Sequence, residues 1–285
     1  MELDLQNPLT IQQYDGVPSL FANESEHMPC LIAFQSSESR FTIRSRALAL
    51  ISHAKFSYNL DPWLVYLAVN YIDRFISKHE ILEKRPWVSH ILVVACLSLA
   101  AKMRNSDLSA ILADLSREEG FEFDSRSVQR METIILATLQ WRMRSITPFS
   151  FLRYFISFFE IEDSSLTQAL THRASDIIFD VQHVLKTSEH NPSTTAASAL
   201  LCAIQDLMPQ SFSSSLSAIS SCEYLDKDRL LECLGLMQEI ATAGCEPSPH
   251  TTVLSSTSTP TSVLDRQCTS SGGHTRATGS KFPHN

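Results

Sequence analysis

Apolar positions recur at helical spacing through most of the chain, and few segments alternate with the period of two that marks a strand. From Phe41 the stripe Ile43, Ala47, Leu48, Leu50 and Ile51 predicts a first amphipathic helix. Asp61 followed by Pro62 marks the start of a second, with the stripe Leu64, Leu67, Ala68, Tyr71, Ile72 and Phe75. An Asp at that position can accept a hydrogen bond from the unpaired first-turn N–H groups, and proline at the first helical position has no N–H to leave unpaired. Pro86 and Trp87 open a third helix in which residues from Val88 to Ala101 are apolar or small on nearly every face. A helix apolar all round is enclosed by its neighbours, so this one belongs at the centre of a bundle. A short fourth helix near Leu108 to Leu115, and a fifth after the cap Asp124 through Val128, Met131, Ile135 and Leu139, complete a five-helix unit.

Pro148 restarts the plan. Helices are predicted over Phe149 to Phe159, Ser164 to Leu185, Pro192 to Leu207, Ser213 to Ser220 and Lys227 to Ala243. The two halves share helix number and length rather than a sequence repeat. The expected fold is therefore all-α: two tandem five-helix bundles, over residues 39–145 and 146–243. Residues 1–38 are broken by Pro8, Gly16, Pro18 and Pro29 and read as a lead-in with one short helix around Ser19 to His27. Residues 244–285 are rich in Ser, Thr, Pro, Gly and His, and cannot bury enough apolar surface to offset the entropy of ordering them, so a disordered tail is expected.

Composition removes several function classes. Only 7 glycines occur in 285 residues, which disfavours glycine-rich phosphate loops. The net charge is −8 without a run of Lys or Arg, so direct binding of nucleic acid is not expected. The 7 cysteines are odd in number and show no CxxC spacing, and read as reduced thiols rather than a disulfide framework or zinc site. The start, MELDLQNPLT, carries acids where a secretory signal would carry bases, and no uninterrupted apolar run reaches the length of a membrane span. His79 and Glu80 begin an HExxH pattern that fails at Glu83, the Gly273 to Lys281 stretch has the wrong order for a phosphate loop, and no nucleophile elbow is present. No catalytic, cofactor or metal site is expected.

Four blocks carry a resemblance. LAVNYIDRF at 67–75, CLSLAAKM at 96–103, RMETIILATLQWRM at 130–143 and TPFSF at 147–151 resemble the cyclin box of D-type cyclins, most of all the plant members. SLFANESEHMP at 19–29 and HNPSTTAASALL at 190–201 extend the likeness over roughly residues 18 to 242. The resemblance implies a regulatory subunit that forms a heterodimer with a cyclin-dependent kinase, in nucleus and cytoplasm, and promotes the G1 to S transition or a specialised division. It implies that Lys102 and Glu132 are the paired kinase-contacting residues, and that Arg44 and Asp73 form an internal bridge between the first two box helices. By spacing alone, Lys102 is equally a cation favoured by a helix C-terminus and Glu132 a solvated acid.

The chain also departs from that pattern. The usual pair of acids after LAAKM is replaced by Arg104 and Asn105, which reverses local charge beside the expected kinase contact. A tryptophan that helps form a substrate-docking patch is replaced by Leu50, with Arg46 and Ala47 also changed. No LxCxE motif occurs in residues 1–40, so a retinoblastoma-type protein is not expected to be bound through it, as in the divergent sixth group of plant D-type cyclins. The string Leu231 to Gly235 lacks the final acid. In the tail, Ser248 before Pro249 and Thr259 before Pro260 suit proline-directed kinases, and a phosphate there could be read by a ubiquitin ligase. Two alternatives stay open: a divergent cyclin acting as scaffold or competitor without activating a kinase, and a cyclin-fold transcription factor, against which the acidic balance argues.

Overall fold

A computed structural model describes residues 16–35, 37–79, 86–117, 122–159 and 161–243, and every regular element among them is helical. Two short helices, α1 (Val17–Asn23) and α2 (Ile32–Gln35), precede a bundle of α3 (Glu38–Tyr58), α4 (Pro62–Lys78), α5 (Pro86–Met103), α6 (Ser109–Leu115) and α7 (Ser125–Thr138). A second bundle follows, with α8 (Phe149–Ile156), α9 (Ser164–Val181), α10 (Pro192–Leu207), α11 (Phe212–Ser220) and α12 (Lys227–Ala243).

The helix starts are set by side chains that accept from first-turn N–H groups. Asp61 accepts from Trp63 N at 3.2 Å, Asp124 from Ser127 N at 2.8 Å and Asp163 from Ser165 N at 2.8 Å. Ser37 does the same for Arg40, so α3 begins at Glu38, ahead of the apolar stripe that first reveals it. At its other end α3 stops on Asn59, in the left-handed conformation at φ 49°.

Helix α5 sits among α3, α4, α6 and α7, and every residue from Val88 to Ala101 is buried. It is long and apolar enough to cross a membrane by length and composition, yet its surface is covered by the other helices of its own bundle. Helix α10 holds the matching place in the second bundle, enclosed by α8, α9, α11 and α12. Each central helix anchors its own core, the first including Tyr71, Ile72, Leu92, Leu97 and Ile135, the second Phe151, Phe155, Ile178, Leu200 and Leu230. Enclosing large side chains such as these is worth about 1.5–3 kcal/mol each, the term that holds the bundles together.

Several boundaries differ from the sequence reading. Helix α9 ends at Val181 instead of running to Leu185, because the Thr187 hydroxyl donates to the Val181 and Val184 carbonyls at 2.8 and 2.7 Å and turns the chain into a 3₁₀ segment over Leu185–Glu189. Helix α8 stops at Ile156, three residues early. The lead-in is two helices with a 3₁₀ turn over Glu24–His27, and it is part of both cores. Leu20 lies in the second and Phe34 in the first. Phe21 packs at 4.8 Å from both the Phe151 and Tyr224 rings. The expected tail lies outside the described residues.

Candidate functional site

Helix α5 is enclosed until its last turn, and Lys102 emerges there. Helix α7 lays Val128, Met131 and Ile135 against the first core, joined by Leu139 at its C-terminal cap, which fixes the face on which Glu132 falls. The structure brings the two together: Lys102 Nζ donates to both Glu132 carboxylate oxygens, at 2.7 and 2.6 Å. The pair is asymmetric, with the Lys102 side chain 60% exposed and that of Glu132 only 10%. Glu132 is thus a buried acid, not a solvated one, and it holds an outward-facing cation in one place. Beside the pair is a groove of ≈ 490 Å³ whose lining mixes apolar side chains (Val94, Leu112, Val128) with charged ones (Arg117, Glu122, Asp124).

Arg104, two residues beyond Lys102, folds back on α4. Its guanidinium lies 4.3 Å from the Trp63 ring and Nη2 is 2.8 Å from Asp61 Oδ2. The charge reversal read from the sequence is therefore largely neutralised within the chain. Asn105 follows in the left-handed conformation at φ 52° and turns the chain away from α5. Leu50 is half-buried, packed against the first core.

Arg44 and Asp73 are both buried and meet in a bidentate pair, Nε to Oδ1 at 2.9 Å and Nη2 to Oδ2 at 3.1 Å. Burial pushes the Asp73 carboxyl above its ordinary value, and the Arg44 charge pulls against that. The same guanidinium donates to the Gln182 carbonyl at 2.8 Å and the His183 carbonyl at 3.3 Å. One arginine thus joins α3, α4 and the end of α9. The contacts to the second bundle had no sequence signal, since an arginine looks the same whether it bonds one partner or three.

Nothing in the sequence marks Glu24 as different from the other acids. It is 2% exposed and accepts from the Ser193 N–H and hydroxyl, both at 2.8 Å. Desolvation raises its carboxyl above the ordinary range, against the Ser193 hydrogen bonds. Asn191 precedes α10 without capping it through its side chain, so the cap is supplied by the lead-in. Among the described residues no group of three His, Cys, Asp or Glu side chains could hold a metal ion. Burial pushes the Cys202 thiol up to about 12 and Cys233 to about 11, which keeps both protonated. Ser248 and Thr259 lie outside the described residues.

Two helical bundles in tandem, each wrapped around a buried central helix, are the architecture of the cyclin fold. The chain superposes on a viral cyclin from herpesvirus saimiri with a TM-score of 0.64 and 19% identity, covering 80% of this chain and 96% of that one. The family model for the cyclin N-terminal domain matches residues 17–144, and that for the cyclin C-terminal domain matches residues 146–264. In sequence the chain is 39% identical to putative cyclin-D6-1 of Arabidopsis thaliana, over 95% of this chain and 92% of the relative. It is 35% identical to cyclin-D6-1 of Oryza sativa subsp. japonica, over 97% and 85%. It is 31% identical to cyclin-D1-1 of Arabidopsis thaliana, over 80% and 68%. The chain belongs to the cyclin family, as a plant D-type cyclin, a regulatory and non-catalytic subunit.

Proposed function

We propose that this cyclin binds and activates a cyclin-dependent kinase, in the nucleus and cytoplasm, and thereby promotes the G1 to S transition or a specialised division. The observation that carries this reading is the Lys102–Glu132 pair at the edge of the α5–α7 groove. A helix or loop of the kinase laid across that edge would find a donor and an acceptor of fixed position. Lys102 is the donor, with more than one N–H, and Glu132 keeps lone pairs beyond those taken by Lys102. Charge-assisted hydrogen bonds to main-chain groups are worth about 1.5–3 kcal/mol each and set register.

This chain supplies binding energy and position, and phosphoryl transfer stays in the kinase. There a Lys–Glu ion pair and a metal-binding Asp must both be in place, and docking of the kinase's mobile helix controls that placement. A stable regulatory complex buries more than roughly 2,000 Å², so many residues besides the pair contribute. The scaffold or competitor reading draws on Arg104, whose pairing with Asp61 removes a charge that a partner would otherwise meet.

The test is co-purification with a plant cyclin-dependent kinase, comparing wild type with the Lys102→Glu, Glu132→Lys exchange. The exchange keeps an ion pair but reverses what it presents. Active kinase recovered with wild type, and lost with the folded exchange, supports activation at this site. Recovery of a kinase that phosphorylates nothing supports the competitor, and no recovery by folded wild type overturns activation and puts the scaffold reading first.

A further inference from the structure

A cavity of ≈ 40 Å³ lies where three parts of the chain meet: the lead-in at His27, α4 at Tyr66 and Asn70, and the connection from α9 to α10 at Gln182 and His190. Many polar groups on its walls have partners inside the protein. Asn70 donates to the His27 carbonyl at 3.0 Å and accepts from the Ser145 hydroxyl at 2.9 Å. The Gln182 side-chain nitrogen donates to the Tyr66 carbonyl at 3.1 Å. Three atoms stand apart. His27 Nδ1, Gln182 Oε1 and His190 Nδ1 are all buried and have no hydrogen-bond partner within the protein. Gln182 is 7% exposed and His190 5%.

A buried polar atom without a partner costs about 1–3 kcal/mol and is uncommon in native proteins. The residues that carry all three line this one cavity, so a single shared partner held there would satisfy them. It must donate to an amide oxygen and donate to or accept from two imidazoles. Burial favours the neutral form of both rings, pushing His27 down to about 4 and lowering His190 from its ordinary value. A neutral imidazole has one donor and one acceptor nitrogen, so no ionic ligand is required. Water supplies two donors and two acceptors. A site for one water needs about 10–15 Å³ of such volume, and its share of the liquid is about 30 Å³.

We infer that this junction is a hydration site, in which about one or two bound waters bond His27 Nδ1, Gln182 Oε1 and His190 Nδ1. The waters tie the lead-in to the second bundle against the wall of α4. Gln182 becomes the hub of the joint: its carbonyl is held by Arg44, its side-chain nitrogen by the Tyr66 carbonyl and its side-chain oxygen by water. The angle between the bundles then rests on a polar joint as well as on apolar contact.

A crystal structure of the full chain, at a resolution that shows ordered water, tests this directly. Density within hydrogen-bond distance of at least two of the three atoms is expected, and an empty cavity or density touching none of them overturns the inference. Thermal unfolding of His27→Phe, His190→Phe and the double variant near pH 7.5 gives a second readout. Both substitutions remove ring nitrogens and keep a ring. With shared water each lowers the midpoint by about 2–4 °C and the double by less than the sum. In a dry cavity the same changes remove orphaned polar atoms and raise the midpoint, which also overturns it. A variant that fails to fold leaves the wild-type crystal structure to decide.

Discussion

Glu24 caps a helix 169 residues away: its carboxylate accepts from both the main-chain N–H and the hydroxyl of Ser193 in the first turn of α10. The N-terminus of a helix concentrates unpaired N–H groups and partial positive charge, and an acid there meets both needs. Because α10 is the central helix of the second bundle, the lead-in is built into that bundle's core support rather than appended to it.

Glu24→Ala is expected to destabilise the protein by about 1–3 kcal/mol, since it leaves a buried N–H and hydroxyl without their acceptor. Glu24→Gln keeps an acceptor oxygen and should lose less. Denaturant unfolding measures both, and equal losses would show that the charge, not the hydrogen bond, is what matters.

Removing one member of the Arg44–Asp73 pair leaves a buried charge uncompensated, at a cost of about 3–5 kcal/mol. Arg44→Met costs more than the pair alone would require, because the Gln182 and His183 carbonyls also lose a donor. A double-mutant cycle with Asp73→Asn should therefore show a double variant well short of the sum. Additivity would mean the two residues stabilise the fold separately.

His27 sets a pH dependence. Burial is the main cause that lowers it from 6.5 to about 4, helped by the Arg74 and Arg142 charges and opposed by Glu26. The unfolded chain then binds the proton more readily than the folded one. The stabilisation is complete above the unfolded value near 6.5 and is lost as pH falls from there toward 4. Glu24 and Asp73, raised by burial, act in the opposite sense at their own pH. The measurement is the difference in unfolding midpoint between wild type and His27→Phe across that window, which should shrink as the buffer is acidified. A constant difference would contradict it.

Deletion of residues 244–285 is expected to lengthen protein half-life in plant cells, with Ser248→Ala, Thr259→Ala reproducing part of the effect. Half-lives unchanged by the deletion would remove the tail from turnover control.

Long periodic segments were legible in the sequence. Helices α4, α5 and α7 each carry an apolar pattern over several turns, with Asp61 and Asp124 as caps, so their type and order follow from local chemistry. Lys102, Glu132, Arg44 and Asp73 stand out by resemblance, since by spacing alone Lys102 is equally a helix-terminal cation and Glu132 a solvated acid. The lead-in holds more structure than its sequence shows. Segments as short as Ile32–Gln35 have too few residues to display a period, and what places them is contact with distant surfaces.

Local side-chain pattern is enough to set the type and order of the long helices, their buried faces and the enclosure of α5, because these depend on side chains a few residues apart. It takes the packed chain to bury Glu132 beneath Lys102, to neutralise Arg104 with Asp61 over Trp63, and to carry Arg44 and Glu24 to the second bundle. Hydrogen bonds and ion pairs depend on distances of a few ångströms between groups far apart in the chain. Local pattern cannot supply those distances, and the packing of the two bundles does.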